Sequence, residues 1–113
     1  MKTNLKISVI IPILNEEASL KKLLNNLLTQ TLKPDEIIIC DGGSSDKSIS
    51  IIDNYKKKYK SIKLVYKKST CRGSGRNLAI NESKNNLIAM IDAGTFPQKD
   101  WLEKLSEPIT NDN

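Results

Sequence analysis

The sequence predicts an α/β protein, a three-layer α/β/α sandwich built on a mostly parallel sheet. Two observations predict it. Short β-branched apolar runs alternate with longer stretches of helical periodicity, and every apolar run ends in a polar or glycine-bearing turn. Such alternation puts helices on both faces of a parallel sheet, joined by right-handed crossovers. A chain of 113 residues fits one Rossmann-like domain spanning 1–113, with a core that needs neither disulfides nor metal.

Ile7 to Ile13 is short, apolar and rich in β-branched residues, as a buried parallel strand is. Asn15 then offers a helix cap, and Glu16 and Glu17 put negative charge in the first turn. Leu20, Leu23, Leu24, Leu27 and Leu28 recur at helical spacing and make one apolar face. Lys33-Pro34-Asp35 breaks this helix. Glu36 to Cys40 is a second strand and Asp41 to Ser45 a loop. Ser45 or Asp46 can cap a second helix, which turns Ile49, Ile52, Tyr55 and Tyr59 towards the sheet. Ile62 to Tyr66 is a third strand, Lys67 to Gly73 a basic loop, and Ser74 to Ser83 a third helix. Leu87 to Ile91 is a fourth strand closed by Asp92-Ala93-Gly94. Trp101, Leu102 and Leu105 mark a last amphipathic helix that ends near Pro108.

Composition narrows the function. A net charge of +5 admits nucleic acid, an anionic membrane surface or a phosphate-bearing ligand. At 4% aromatic content the chain offers no stacking platform, which argues against nucleic acid. Lys56, Lys57, Lys58 and Lys60 gather at the end of the second helix, where cations suit the dipole, and read as a solvated helix end. The chain has no histidine, so a His base or ligand is excluded. Cys40 and Cys71 form no CxxC pair, which argues against zinc or a disulfide framework and for a reduced, cytoplasmic protein. The apolar run from Ile7 to Leu14 is far short of the ~20 residues a membrane helix needs. With no signal peptide either, no transmembrane segment is expected, and any membrane contact would be peripheral.

In open parallel sheets, ligands bind beyond the carboxyl ends of the strands, where strand order reverses. The turns at Asn15-Glu16, Asp41-Gly42-Gly43, Cys71 to Asn77 and Asp92-Ala93-Gly94 should therefore converge on one rim. Asp41 precedes two glycines, which let a ligand approach the backbone closely. Its carboxylate can accept from a base N–H or a ribose hydroxyl, or it can simply form a turn, as Asp-Gly pairs do. Asp92 can hold a hydroxyl or a divalent cation that neutralises a diphosphate, or it can end a strand. Arg72-Gly73-Ser74-Gly75-Arg76-Asn77 leads into a helix and reads as an anion cradle or as a flexible basic loop.

These segments resemble family 2 glycosyltransferases. Val9-Ile10-Ile11-Pro12-Ile13-Leu14-Asn15-Glu16-Glu17 is similar to that family's opening V-I-P-x-x-N-E stretch. Glu36 to Asp46 resembles its E-I-I-V-D-D-G-S-x-D segment, and Gly73 to Ile80 its G-x-x-x-A-R-N-x-G segment. Ile88 to Gly94 falls at its D-x-D strand end, followed by a similar Trp101-Leu102. The resemblance keeps order and spacing over essentially the whole chain. It implies a GT-A fold that binds a UDP- or GDP-sugar, usually with Mg²⁺ or Mn²⁺, and transfers the sugar with inversion. It also implies a nucleotide-sugar-binding set of Pro12, Leu14, Asn15, Glu16, Asp41, Gly43, Arg76 and Asp92, with Asp92 the metal ligand. Two positions depart from the pattern: Gly42 and Gly94 each stand where the family carries a second aspartate. Gly94 puts the cation in doubt, since a glycine has no side chain to ligate with.

A complete family member is longer, and its second half supplies the acceptor site and a carboxylate base. The expectation is therefore a truncated, donor-binding half, without a catalytic residue of its own, that needs a downstream acceptor domain. A half-built sheet leaves an unpaired edge, which predicts self-association into a homo-oligomer. The rival reading is a non-catalytic nucleotide-binding or protein-interaction module. A dinucleotide-dependent oxidoreductase is disfavoured, because the first turn, Leu14 to Glu17, has no glycine to admit a pyrophosphate.

Overall fold

The computed structural model describes residues 5–66 and 72–111, leaving aside the side chains of 72–76 and 109–111. Strands β1 (Ile7–Ile13), β2 (Glu36–Asp41), β3 (Ile62–Tyr66) and β4 (Leu87–Met90) alternate with helices α1 (Glu17–Leu28), α2 (Ser48–Lys58), α3 (Arg72–Glu82) and α4 (Trp101–Asn111). The strands form one sheet of order β3-β2-β1-β4, and every pairing is parallel.

The two-residue period of the strands sorts the layers. Odd-numbered residues of the two central strands, among them Val9, Ile11, Ile37 and Ile39, face a core filled by Leu20, Leu23, Leu24 and Leu27 of α1, Ile52 of α2 and Leu102 of α4. Even-numbered Ile10, Ile38 and Cys40 face the other way and meet Ala79 of α3. Helices α1, α2 and α4 thus cover one face and α3 the other. Each fully buried leucine or isoleucine contributes about 1.5–3 kcal/mol, so this apolar interior is the main stabilising term. The first two crossovers run over one face, from β1 outward to β3. The third returns over the opposite face, along α3, and sets β4 on the far side of β1. The strand order therefore reverses between β1 and β4.

Some boundaries differ from those the sequence suggests. Helix α3 begins at Arg72, so Arg72 and Gly73 belong to its first turn rather than to the loop before it. Gly73 and Gly75 are weak helix formers, and packing of the helix on the sheet through Ala79 overrides them. Helix α4 continues through Pro108 rather than ending near it. Tyr59 is the C-cap of α2 and is 40% exposed instead of facing the sheet. The basic loop at 67–71, with Cys71, lies outside the described residues. No described helix is long and apolar enough to cross a membrane.

The amino edge of the sheet carries a buried polar network. The Glu36 side chain is fully enclosed. Its Oε1 accepts from Ser8 Oγ at 2.7 Å and from the Lys84 N–H at 2.8 Å. Its Oε2 meets Lys63 Nζ at 2.8 Å. Ser83 Oγ and Asn85 Nδ2 donate in turn to Ser8 Oγ, and Asn85 reaches on to Asp35. Burial pushes the Glu36 carboxyl up, but the Lys63 ammonium, the Ser8 hydroxyl and the Lys84 amide outweigh it and hold the pKa at about 2. The folded-state value lies below the unfolded one, so the stabilisation is present above pH ~4.5 and is lost as pH falls towards 2. At about 1.4 kcal/mol per pKa unit, the loss is on the order of 3 kcal/mol. Urea unfolding followed between pH 6 and pH 2.5 should show this decline, and Glu36→Gln should flatten it.

Candidate functional site

The carboxyl edge is built by two turns locked together. After β1 the backbone turns through Asn15 in the left-handed region, at φ 54°, where asparagine is one of the few residues at ease. This conformation presents the Asn15 side chain to the turn after β2. There, Asn15 Oδ1 accepts from the Ser45 N–H at 2.8 Å and the Asp46 N–H at 3.2 Å. The second turn answers with side chains. Ser44 Oγ accepts from the Asn15 N–H at 2.9 Å, Ser48 Oγ from the Glu16 N–H at 3.0 Å, and Asp46 Oδ2 from the Glu17 N–H at 3.1 Å.

This arrangement corrects two expectations. Asn15 does not cap α1, whose N-cap residue is Glu16 and lacks a side-chain cap. The first amides of that helix are satisfied from the neighbouring turn. Lys47, rather than Ser45 or Asp46, is the N-cap residue of α2, although Asp46 Oδ1 still accepts from the Ser48 N–H at 2.9 Å. The Ser48 hydroxyl and the backbone N–H groups of Ser48 and Glu17 hold the Asp46 carboxyl below its usual range.

Asp41 ends β2 in register with Ile13 and is 2% exposed. Its carboxylate accepts from the Gly43 N–H at 3.1 Å and the Ser44 N–H at 3.1 Å. Its role within the fold is thus to curl the loop that carries Gly43, which sits at φ 115°, a conformation glycine adopts without strain. The next strand sets Tyr66 in register with Asp41. Its hydroxyl lies 4.0 Å from where a Gly43 side chain would begin, and the residue is 59% exposed. No local pattern marks this tyrosine as part of the rim, because it closes an ordinary-looking strand. Cys40 beside Asp41 is buried. Burial, with the Asp41 charge, pushes its thiol up, so it is no nucleophile.

Asp92 leaves β4 two residues after Met90 and opens a turn closed by the Thr95 N–H to the Asp92 carbonyl at 3.0 Å. It is exposed. Strands β2 and β4 flank β1, so Asp41 and Asp92 rise from the same edge, roughly 10 Å apart at two strand spacings. Leu14 and Asn15 are exposed at the end of β1 between them, and Pro12 and Glu16 are half-buried. The Arg76 side chain lies outside the described residues, and the backbone places this residue in the second turn of α3.

From Asp92 the chain runs back along α1. Lys22 Nζ stands 5.0 Å over the Phe96 ring. Asn26 Nδ2 donates to the Pro97 carbonyl at 2.9 Å and Gln30 Nε2 to the Gln98 carbonyl at 2.7 Å, while Gln30 Oε1 accepts from the Leu102 N–H at 3.0 Å. Lys22 and Asn26 lie four apart on α1 and Gln30 just past its C-cap, and together they fix the return path. Glu103, at its end, accepts from Thr31 Oγ1 beyond the C-terminus of α1, away from the rim.

The edge can therefore hold a polar ligand between a carboxylate-organised loop and a second carboxylate. A cation finds less. Among the described residues no three acidic or cysteine side chains gather to hold a metal, and Asp92 stands without a second carboxylate at Gly94. These residues do not by themselves make a metal centre.

The family model for Glycosyl transferase family 2 matches residues 8–113. The chain belongs to this family. This family 2 domain is 36% identical over 96 residues to a poly(ribitol-phosphate) beta-glucosyltransferase of Bacillus spizizenii, a match that covers 81% of the chain and 15% of that protein. Staphylococcus aureus TarS 1–349, solved in complex with UDP-GlcNAc, superposes with a TM-score of 0.83 at 27% identity, over 95% of this chain and 32% of that one. The Pyrobaculum calidifontis mannosyltransferase PcManGT, solved with GDP-Man and Mn²⁺, shares the fold at 20% identity and a TM-score of 0.78, over 92% of this chain and 31% of that one. The domain spans well under half the length of such relatives.

The interlocked turns set a test. Asn15→Gly should keep the left-handed corner but lose its side-chain acceptor, costing about 1 kcal/mol. Asn15→Ala loses both, and should cost about 2–3 kcal/mol once the 1–2 kcal/mol of a left-handed alanine is added. Thermal unfolding that ranks alanine no worse than glycine would contradict this.

Proposed function

We propose that this family 2 domain binds the donor, a nucleoside diphosphate sugar, at the rim between Asn15, Asp41 and Asp92. The sugar is then transferred with inversion to an acceptor held by another part of the protein. The observation that carries this reading is the placement of Asp41 and Asp92 at one edge, on either side of the point where strand order reverses. Family membership and the likeness to a UDP-GlcNAc-bound transferase support it. In this reading Asp41 shapes the Gly43-Ser44 loop that receives the nucleoside, and the exposed Asp92 meets the diphosphate-sugar end. In-line attack also needs a base to take the acceptor hydroxyl's proton. In this reading that base belongs to the acceptor side. A donor-binding module without turnover remains the second reading, favoured by Gly94 in place of a carboxylate.

Calorimetric titration with UDP and GDP tests the site. Asp41→Ala should weaken binding at least tenfold, about 1.4 kcal/mol. Asp41→Asn retains an acceptor for the Ser44 N–H and should fall in between. Full-strength binding by the alanine variant would move the nucleoside elsewhere.

Gly94 permits a second experiment. No heavy atom lies within 4 Å of the position a Cβ would take, and its φ is not left-handed. Gly94→Asp should therefore fold unchanged and make UDP binding more responsive to Mn²⁺ than it is in the parent chain. An equal Mn²⁺ response in both would place the cation, if any, away from the Asp92 turn.

A further inference from the structure

A second polar recess lies away from the carboxyl edge, on the outer surface of the helical layer. Helices α1 and α2 bound a groove of about 470 Å³ lined by Lys21 and Asn25 of α1 and by Asn54, Tyr55, Lys57, Lys58 and Tyr59 of α2 and its cap. No carboxylate lines it. Lys21, Lys57 and Lys58 are exposed and, among the described residues, none has a carboxylate within 4.0 Å. Asp53, four residues before Lys57, forms no such pair. The Tyr55 hydroxyl donates to Asn25 Oδ1 at 2.6 Å, so the amide end of Asn25 remains a donor. Tyr55 and Tyr59 stack with ring centroids 6.2 Å apart and hold the wall in place.

A solvated helix end accounts for lysines following one another along a helix. It does not account for the convergence of lysines from two helices, with amide donors between them, on one recess free of acid. We propose that this groove docks the protein on an anionic membrane surface, with the phosphate of a lipid headgroup held among Lys21, Lys57 and Lys58. Exposed lysines and a half-exposed tyrosine are side chains suited to the headgroup region, since each joins an apolar stem or ring to a polar tip. Lys56 and Lys60, next in sequence to the lining residues, bring the local total to five cations, within the range that anionic leaflets attract. The site is separate from the proposed donor rim, and neither depends on the other.

Co-sedimentation of the protein with vesicles of phosphatidylglycerol and phosphatidylcholine tests this. Binding should require the anionic lipid and weaken as salt rises. Replacing Lys21, Lys57 and Lys58 together with glutamine should weaken it by roughly two orders of magnitude, since each lysine near such a surface is worth about a factor of five. The same replacement of Lys33, Lys99 and Lys104, which removes equal charge elsewhere, should weaken it far less. Circular dichroism of both variants should match the parent. Equal loss in both variants would reduce the effect to net charge and overturn the proposal. So would equal binding to neutral vesicles, or capture of soluble tripolyphosphate by a protein that ignores anionic vesicles.

Discussion

The rim of this domain depends on the exchange of hydrogen bonds between two turns that are separate in sequence. Asn15 gives its amide to Ser44 and takes two amides of the Ser45-Asp46 segment, while Ser48 and Asp46 take the first amides of α1. A parallel sheet leaves the turns at its carboxyl ends without partners of their own, so each must be satisfied by side chains or by a ligand. Here the first turn is satisfied by the second. The N-terminus of α1, which in dinucleotide-binding folds faces a pyrophosphate, is already occupied by serine and aspartate oxygens. What the rim leaves open lies towards Asp41 on one side of β1 and Asp92 on the other.

The two ends of the sheet are built to opposite specifications. At the amino end Glu36 is enclosed and served by Ser8, Lys63 and the Lys84 amide, a network with few groups left over. Such a buried charge is costly to disturb, and it fixes β1, β2 and the entry to β4 in one register. At the carboxyl end the turns are held by short side chains that reach from one loop to the other, and most of these groups stay at the surface. Rigidity at one end lets the other present its turns at a fixed spacing.

Much of this was legible in the sequence, and what was missed has a common cause. The strands and the leucine face of α1 follow from local periodicity, because each is written within a dozen residues, and their alternation is what sets the turns after β1, β2 and β4 at one edge. The reach of Asn15 across to Ser45, of Ser48 back to Glu16 and of Gln30 to Gln98 is set by tertiary geometry, which no local pattern encodes. The sequence marks Asn15 as a cap for its own helix and, by resemblance, as a binding residue, but not as the clasp between two turns. A cap is what an isolated Asn-Glu-Glu start suggests, whereas the left-handed φ sends its side chain to a neighbour instead. The start of α3 was missed for the complementary reason. Gly73 and Gly75 speak locally for a loop, and only the packing of Ala79 on Ile10 and Ile38 makes a helix worth extending to Arg72.

The two glycines that replace aspartates differ in what the fold asks of them. Gly42 donates its amide to the Ile13 carbonyl at 3.0 Å, and a Cβ there would meet that oxygen at 3.5 Å, an ordinary contact. Gly94 faces open space. Neither position needs glycine for steric reasons, and neither has the positive φ that Gly43 has. Backbone geometry therefore does not explain these glycines, and their effect is electrostatic: each leaves the rim one negative charge poorer than the family pattern. With fewer carboxylates to offset, an anionic diphosphate would meet less repulsion.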